Sequence, residues 1–102
     1  MYKVVGLLKR PEGVEIEDFH RWWLEEHAEK VKKWPGLVRY CINLATTDDQ
    51  VYDGVAEVWF DKREQMDSAF SKPEGQRARQ SATDGSREIV ILLTEEHVMV
   101  DG

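Results

Sequence analysis

The chain has 102 residues, which is long enough for one domain with a modest hydrophobic core, and we expect a single domain over residues 1–102. Hydrophobic residues make up 41% of it and charged residues 33%, a balance that is typical of a folded globular protein and excludes a disordered one. The net charge of −6 argues against a nucleic-acid partner, because proteins that bind the phosphate backbone usually carry a basic surface.

Cysteine content and hydropathy exclude two further classes. The single cysteine, Cys41, rules out an intramolecular disulfide and a cysteine-based zinc site. No apolar run approaches the roughly 20 residues that cross a bilayer, and the N-terminal residues lack the pattern of a secretion signal. We therefore expect a cytoplasmic protein without a membrane partner.

The first part of the chain predicts a strand, a long helix and a second strand. An apolar run over residues 2–8 indicates the first strand. Apolar residues every three or four positions then predict an amphipathic helix over residues 16–33, which Pro35 ends. Leu37–Leu44 is predicted as the second strand.

The second part predicts a third strand, helical segments and a last strand. Gly54–Phe60 forms the third strand, and a helix follows Asp61. A further helical stretch is expected from Pro73 to Gly85, before a last strand over residues 89–100. An interruption of this strand at Glu95-Glu96 is the alternative. The order β-α-β-β-α-β is that of the ferredoxin-like α+β sandwich, which is the fold we expect.

The first strand is apolar on both faces, with Val4 and Leu8 on one and Val5 and Leu7 on the other. The helices of a sandwich cover only one face of the sheet. We therefore expect the other face to pack on the sheet of an identical subunit, which gives a homodimer that forms an α+β barrel. A central strand that is incompletely solvated is the alternative interpretation.

One histidine interrupts the apolar stripe of the long helix. Helical spacing places Phe19, Trp23, His27 and Val31 on one face, so His27 is predicted to point inward among tryptophans. A buried neutral imidazole needs a hydrogen-bond partner, and burial lowers its pKa towards a range useful for proton transfer. The alternative is a core histidine that bonds to a backbone carbonyl.

Three further polar residues lie on otherwise apolar elements. Tyr40 combines an apolar ring with a polar tip on the second strand. Glu57 lies between apolar neighbours, so its carboxylate must form an ion pair, accept hydrogen bonds or have a raised pKa. A catalytic role and an ion pair with Arg39 are the two interpretations. Asp84 reaches His27 if the last helix covers the pocket, and lies in solvent otherwise.

The common motifs for metal and cofactor binding are missing. The sequence has no phosphate-binding loop, no dinucleotide fingerprint and no His-x-x-x-His pair. His20 and His27 are separated by roughly 10 Å along a helix, too far to share one metal ion. We therefore expect neither a metal nor a cofactor. A histidine, a nearby acid and a phenol among tryptophans suffice for acid–base chemistry on an activated carbonyl compound.

Several short segments together resemble the EthD-like family of dimeric α+β barrel proteins, and they occur over nearly the whole chain in the family's order. The matching segments are Lys9-Arg10-Pro11, Phe19, Trp23, His27-Ala28, Pro35-Gly36-Leu37, Tyr40, Tyr52-Asp53-Gly54-Val55-Ala56-Glu57-Val58-Trp59-Phe60, Pro73-Glu74, Asp84 and Leu93-Thr94-Glu95-Glu96-His97-Val98. The resemblance implies a homodimer with a pocket between sheet and helices in each subunit. It also implies that His27 and Asp84 are site residues and that Tyr40 and Trp59 form the pocket wall.

The resemblance implies a range of chemistries. The family includes methylmuconolactone isomerases and fungal polyketide decarboxylases and dehydratases. We expect a small lyase or isomerase of aromatic, polyketide-like or lactone carbonyl compounds. In it His27 acts as general acid–base with Asp84 and Tyr40, while Trp23, Trp59 and Glu57 contact the substrate. The alternatives are a cofactor-free monooxygenase of electron-rich phenols and a non-catalytic accessory protein of an oxygenase pathway.

Overall fold

Four antiparallel strands form one sheet in the computed structural model, which describes residues 1–102. Their spatial order is β2-β3-β1-β4. The strands are β1 (Tyr2–Lys9), β2 (Leu37–Leu44), β3 (Gly54–Phe60) and β4 (Glu88–Glu95). The predicted β-α-β-β-α-β order and the ferredoxin-like α+β fold are confirmed.

The helices all pack on one face of this sheet. Between β1 and β2, α1 (Ile16–Trp22) continues through a π-helical turn (Trp23–His27) into α2 (Ala28–Val31). After β3 come α3 (Arg63–Ser68), a short 3₁₀ turn (Ala69–Ser71) and α4 (Pro73–Gly85). The prediction of one regular helix over residues 16–33 was wrong in two respects, because the π turn interrupts it and it ends at Val31.

The last strand ends at Glu95, which pairs with Tyr2 at the start of β1. This is the place where an interruption was the alternative to a strand that continues to Val100. One more backbone bond follows, from the Glu96 N–H to the Met1 carbonyl at 2.9 Å. Val98 and Val100 lie exposed in the C-terminal segment.

A β-bulge in β2 decides which side of the sheet Tyr40 faces. Leu37 pairs with Phe60 and Arg39 with Trp59, so Val38 is an extra residue opposite a single step of β3. Regular alternation would place Val38 and Tyr40 on one face of the sheet, and the bulge separates them. Val38 is exposed, whereas Tyr40 packs against the core beneath the helices.

Two apolar clusters lie between sheet and helices, one at each end. The larger cluster contains Val4, Val31, Trp34, Val58, Phe60, Met66, Ala69 and Ala78. The smaller contains Leu8, Phe19, Trp23 and Ala82. Ala78 and Ala82 lie one turn apart on α4 and belong to different clusters, so this helix contributes small side chains to both.

The opposite face of the sheet carries no helix. Its apolar part includes Val5, Leu7, Val55, Val90 and Leu92, whose side chains alternate with those that face the core. Leu92 is 54% exposed. The predicted apolar character of both faces is therefore present in the folded chain.

Candidate active site

A small cavity lies between the sheet and the helices, between the two apolar clusters. Its volume is about 60 Å³, and most of its wall comes from apolar residues such as Val4, Leu8 and Val58. Three lining residues carry titratable groups: His27, Tyr40 and Arg79. The cavity therefore combines an apolar interior with a very small set of polar groups, which is the usual composition of a small-molecule site.

The π-helical turn sets the orientation of His27. The backbone N–H of Ala28 donates to the carbonyl of Trp23, five residues earlier, instead of four. The wider turn brings Trp22 and His27 to the same side, where their rings stack with centroids 5.1 Å apart and planes 19° apart. Such turns inside α-helices occur frequently at functional sites.

The imidazole of His27 is buried and held by one hydrogen bond. The residue is 5% exposed, and its Nδ1 lies 2.9 Å from the Ser81 hydroxyl on α4. No protein group bonds to Nε2. Burial, with a smaller contribution from the positive charge of Lys30, lowers the pKa of His27 to about 4. The ring is therefore neutral at pH 7 and has one nitrogen free.

Three buried hydrogen-bonding groups between the sheet and the helices have no partners of their own. The Tyr40 hydroxyl and the indole N–H groups of Trp23 and Trp34 are all inaccessible to solvent and unbonded. Burial raises the pKa of the Tyr40 phenol, and the nearby indole N–H of Trp23 opposes this rise without the geometry of a hydrogen bond. Native structures rarely leave such groups unsatisfied, so these atoms point to a missing partner.

The structure does not bring Trp23 to the cavity, although we expected it to contact substrate. Trp23 is fully buried between Leu8, Phe19 and Ala82, and Gly54 lies so close to its ring that a side chain at position 54 would overlap it. The tryptophan that lines the cavity is Trp34. Trp23 is a core residue here because the full width of an indole fits the gap between α1 and the sheet.

The structure also places Glu57 and Trp59 away from the cavity, on the sheet face opposite the helices. Glu57 accepts hydrogen bonds from Lys3 at 2.7 Å and from Asn43 at 2.9 Å, so its carboxylate is paired, as the alternative to catalysis required, but with Lys3 and not with Arg39. The Trp59 indole N–H donates to Glu96 at 3.1 Å. Strand alternation explains this placement, since the cavity wall uses Ala56 and Val58 from the same strand.

Asp84 is exposed and does not contact His27. Its carboxylate accepts a hydrogen bond from Gln80 at 2.7 Å and lies in a surface groove with Trp22, Lys30 and Arg77. Ser81, one turn earlier on α4, occupies the position at the imidazole that we expected for Asp84. A catalytic role for Asp84 stays a prediction from the family resemblance.

Sequence reasoning missed a second buried polar cluster. Asp53 is 4% exposed and accepts 2.7 Å hydrogen bonds from both the backbone N–H and the guanidinium of Arg10. His20 bonds to the Asp53 carbonyl at 2.8 Å. These contacts join the end of β1, the start of β3 and the first helix. The recurrence of Lys9-Arg10-Pro11 and Tyr52-Asp53-Gly54 as family segments was the available signal.

Ser81, Trp34 and Arg79 were also missed as site residues. The small-residue pattern of α4 indicated close packing, but no sequence pattern showed which hydroxyl would meet His27. No group of three or more His, Cys, Asp or Glu side chains is arranged to hold a metal ion. None of the helices combines the length and the apolar character needed to cross a membrane.

Comparison with known proteins supports the resemblance. A family model described as the EthD domain matches residues 11–87. An EthD family protein from Bacillus halodurans has a similar structure, with a TM-score of 0.83 at 21% identity over 95% of this chain and 99% of that chain. Comparison with curated protein sequences gives no significant match.

Two further solved structures share the fold at lower identity. A dimeric ferredoxin-like protein of unknown function from Bacteroides fragilis gives a TM-score of 0.70 at 14% identity, over 93% of this chain and 95% of that chain. A Nitrosomonas europaea protein described as an antibiotic biosynthesis monooxygenase gives a TM-score of 0.61 at 15% identity, over 94% of this chain and 98% of that chain. Because the family model covers residues 11–87, the chain belongs to the EthD domain family.

Proposed function

We propose that this protein is a small acid–base enzyme, a lyase or isomerase that acts on aromatic, polyketide-like or lactone carbonyl compounds without a cofactor. The observation that carries the proposal is the imidazole of His27, which lines an apolar cavity and is held through Nδ1 by Ser81 while Nε2 has no protein partner. A ring fixed at one nitrogen and free at the other has the geometry of a general base.

The neutral imidazole starts as a proton acceptor. With Nδ1–H donating to the Ser81 hydroxyl, the lone pair of Nε2 removes a proton from a carbon next to the substrate carbonyl. The electron pair of that C–H bond moves onto the carbonyl oxygen, and the Tyr40 hydroxyl donates to the resulting enolate. The imidazolium then returns the proton to another atom of the substrate, which completes an isomerisation or allows a leaving group to depart.

Burial of His27 affects its strength as a base. An imidazole with a pKa of about 4 is a weak base. The enolate that forms beside it is an opposite charge, which stabilises the imidazolium and raises the pKa during the reaction. The same low pKa keeps the ring neutral, and thus able to accept a proton, throughout the neutral range.

A cofactor-free monooxygenase of electron-rich phenols is the second candidate. The same neutral imidazole would deprotonate the phenol, and the fold is shared with the Nitrosomonas protein described as a monooxygenase. Strictly anaerobic conditions separate the two candidates. A lyase or isomerase keeps its full rate without oxygen, whereas a monooxygenase loses it.

We also infer that the protein is a homodimer through the sheet face that carries no helix. Val5, Val55 and Leu92 give this face an apolar surface. An identical subunit is the simplest partner for it. Structural relatives that are described as dimeric share this fold.

The variant His27→Gln tests the enzymatic role. It keeps polarity and approximate volume, so we expect a rate loss of roughly 10²–10⁴-fold with a nearly unchanged melting temperature. His97→Gln is the matched control, since His97 is exposed and far from the cavity lining. A structural histidine would instead lower stability by about 1–3 kcal/mol. Ligand binding without turnover in the wild-type protein would favour the accessory-protein hypothesis.

A further inference from the structure

We infer that the ligand of the His27 cavity is a carboxylate anion that also carries a second, hydrogen-bond-accepting oxygen, and that Arg79 binds the carboxylate at the cavity opening. This inference rests on the proposed function, because it assigns a ligand class to the same site.

Arg79 is the cation of this site. It is the one exposed residue among those that line the cavity, so it marks the side on which the cavity meets solvent. Its guanidinium lies 5.7 Å from the ring centroid of Phe70, another lining residue. It makes no salt bridge and no side-chain hydrogen bond, whereas Arg10 and Arg87 both pair with carboxylates. A guanidinium presents several donors in a fixed fork that matches a carboxylate.

The surroundings of the opening leave Arg79 without a counter-ion. Six of the 14 basic residues form a salt bridge with a carboxylate, and Arg79 is among the eight that do not. No acidic residue lines the cavity. The nearest charged groove, along the other side of α4, holds Lys30 and Arg77 with Asp84, whose carboxylate bonds to Gln80. An anion at the opening therefore meets an unpaired guanidinium and no opposing acid.

The Tyr40 hydroxyl lines the interior of the cavity and is buried without a partner. The Trp34 N–H is also unbonded, but it lies against the backbone of Gly75 and Ala69, which are outside the cavity lining. A buried phenol O–H needs an acceptor. A carbonyl or similar oxygen on the ligand supplies one, and the apolar wall takes up the carbon skeleton between this oxygen and the carboxylate.

The cavity volume limits the size of the ligand. About 60 Å³ is well below the roughly 150 Å³ in which benzene binds in a model cavity. A ring therefore enters only when the opening widens, and we expect Arg79 to move for this, because it is the one lining residue with an exposed side chain. The ligand class is thus a compact monocarboxylate with one ring or a short apolar body.

Two probes that differ only in charge test this assignment. These are 4-acetylbenzoate and its neutral amide, 4-acetylbenzamide, and calorimetry measures their binding to the wild-type protein at low and high salt. We expect the acid to bind at least about tenfold more tightly at low salt, and high salt to reduce this preference because it screens an exposed ion pair.

Variants on α4 assign the preference to one side chain. Arg79→Gln should abolish it and Arg79→Lys should retain part of it, because a lysine keeps the charge and loses the forked geometry. Arg77→Gln, on the same helix but outside the cavity lining, should retain it fully. Thermal melting of each variant checks that the fold is intact.

The outcomes separate the two proposals. Equal binding of acid and amide by the wild type, or an acid preference that survives Arg79→Gln, overturns the inference. If the amide binds and shifts the NMR signals of the His27 imidazole, the cavity is still a ligand site and the proposed function stands. If neither probe binds at millimolar concentration or changes those signals, both proposals fail.

Discussion

The Trp22 indole is stacked on the His27 imidazole, with ring planes 19° apart and centroids 5.1 Å apart. In a regular α-helix residues five apart point about 140° away from each other, so the two rings could not meet. The π-helical turn removes this separation. Trp22 thus shields one face of the imidazole while Ser81 holds its Nδ1, and Nε2 has no protein partner.

The first prediction is a pH-dependent stability that originates at His27. Burial lowers its pKa to about 4, against about 6.5 in the unfolded chain. The unfolded chain therefore takes up the proton first as the pH falls. The neutral ring therefore costs no folding free energy above about pH 6.5. As the pH falls from about 6.5 to about 4, the free energy of unfolding decreases by about 3 kcal/mol in all.

Urea unfolding at pH 7 and pH 4.5 measures this effect. Between pH 7 and pH 4.5 the free energy of unfolding of His27→Gln should fall by about 2–3 kcal/mol less than that of the wild type, because glutamine does not titrate. His97→Gln should behave like the wild type, since His97 is exposed. Parallel pH profiles for wild type and His27→Gln would show that His27 titrates normally in the folded protein.

The second prediction concerns the contact of Gly85 with Trp22. A Cβ at position 85 would overlap the Trp22 ring, so Gly85→Ala should push the indole away from His27 and destabilise the fold by about 1–3 kcal/mol. Gly102→Ala is the control, because nothing lies within 4 Å of a Cβ there and the residue is not part of the cavity lining. Thermal melting and the NMR shifts of the His27 ring report the two effects. Unchanged shifts in Gly85→Ala would contradict the stacking argument.

The third prediction concerns the buried pair of Asp53 and Arg10. Asp53→Ala should lower the free energy of unfolding by about 2–4 kcal/mol, because it leaves the backbone N–H and the guanidinium of Arg10 without their acceptor. Asp67→Ala removes an exposed pair with Arg63 and should leave the melting temperature nearly unchanged. Equal effects of the two substitutions in denaturant unfolding would mean that the buried pair adds nothing.

The fourth prediction concerns assembly. The wild type should scatter light as a dimer of twice the 11.9 kDa chain mass. Leu92→Glu should give a folded monomer or an aggregate, because it introduces a charge into the apolar face that we assign to the interface. Leu93→Glu is the control, since the neighbouring side chain points to the other side of β4 and is similarly exposed. A wild-type monomer at all concentrations would refute the homodimer.

The sequence by itself determined the fold class, the element order and the inward direction of His27. These follow from local periodicity. Apolar residues every three or four positions predict the helix that carries Phe19 and Val31 on one face, and alternation of apolar and polar residues predicts strands. The resemblance carried by segments such as Tyr52-Asp53-Gly54 identified the EthD family. Each of these properties depends on residues that are close together in the sequence.

Tertiary structure alone decided which residues surround the imidazole. Strand alternation relative to the helices put Ala56 and Val58 in the cavity wall and sent Glu57 and Trp59 to the other face of the sheet. The rotation of α4 about its own axis places Ser81, and not Asp84, against His27. Spacing along one element cannot fix such contacts, because they depend on how two elements distant in sequence rotate and slide to fill a common core.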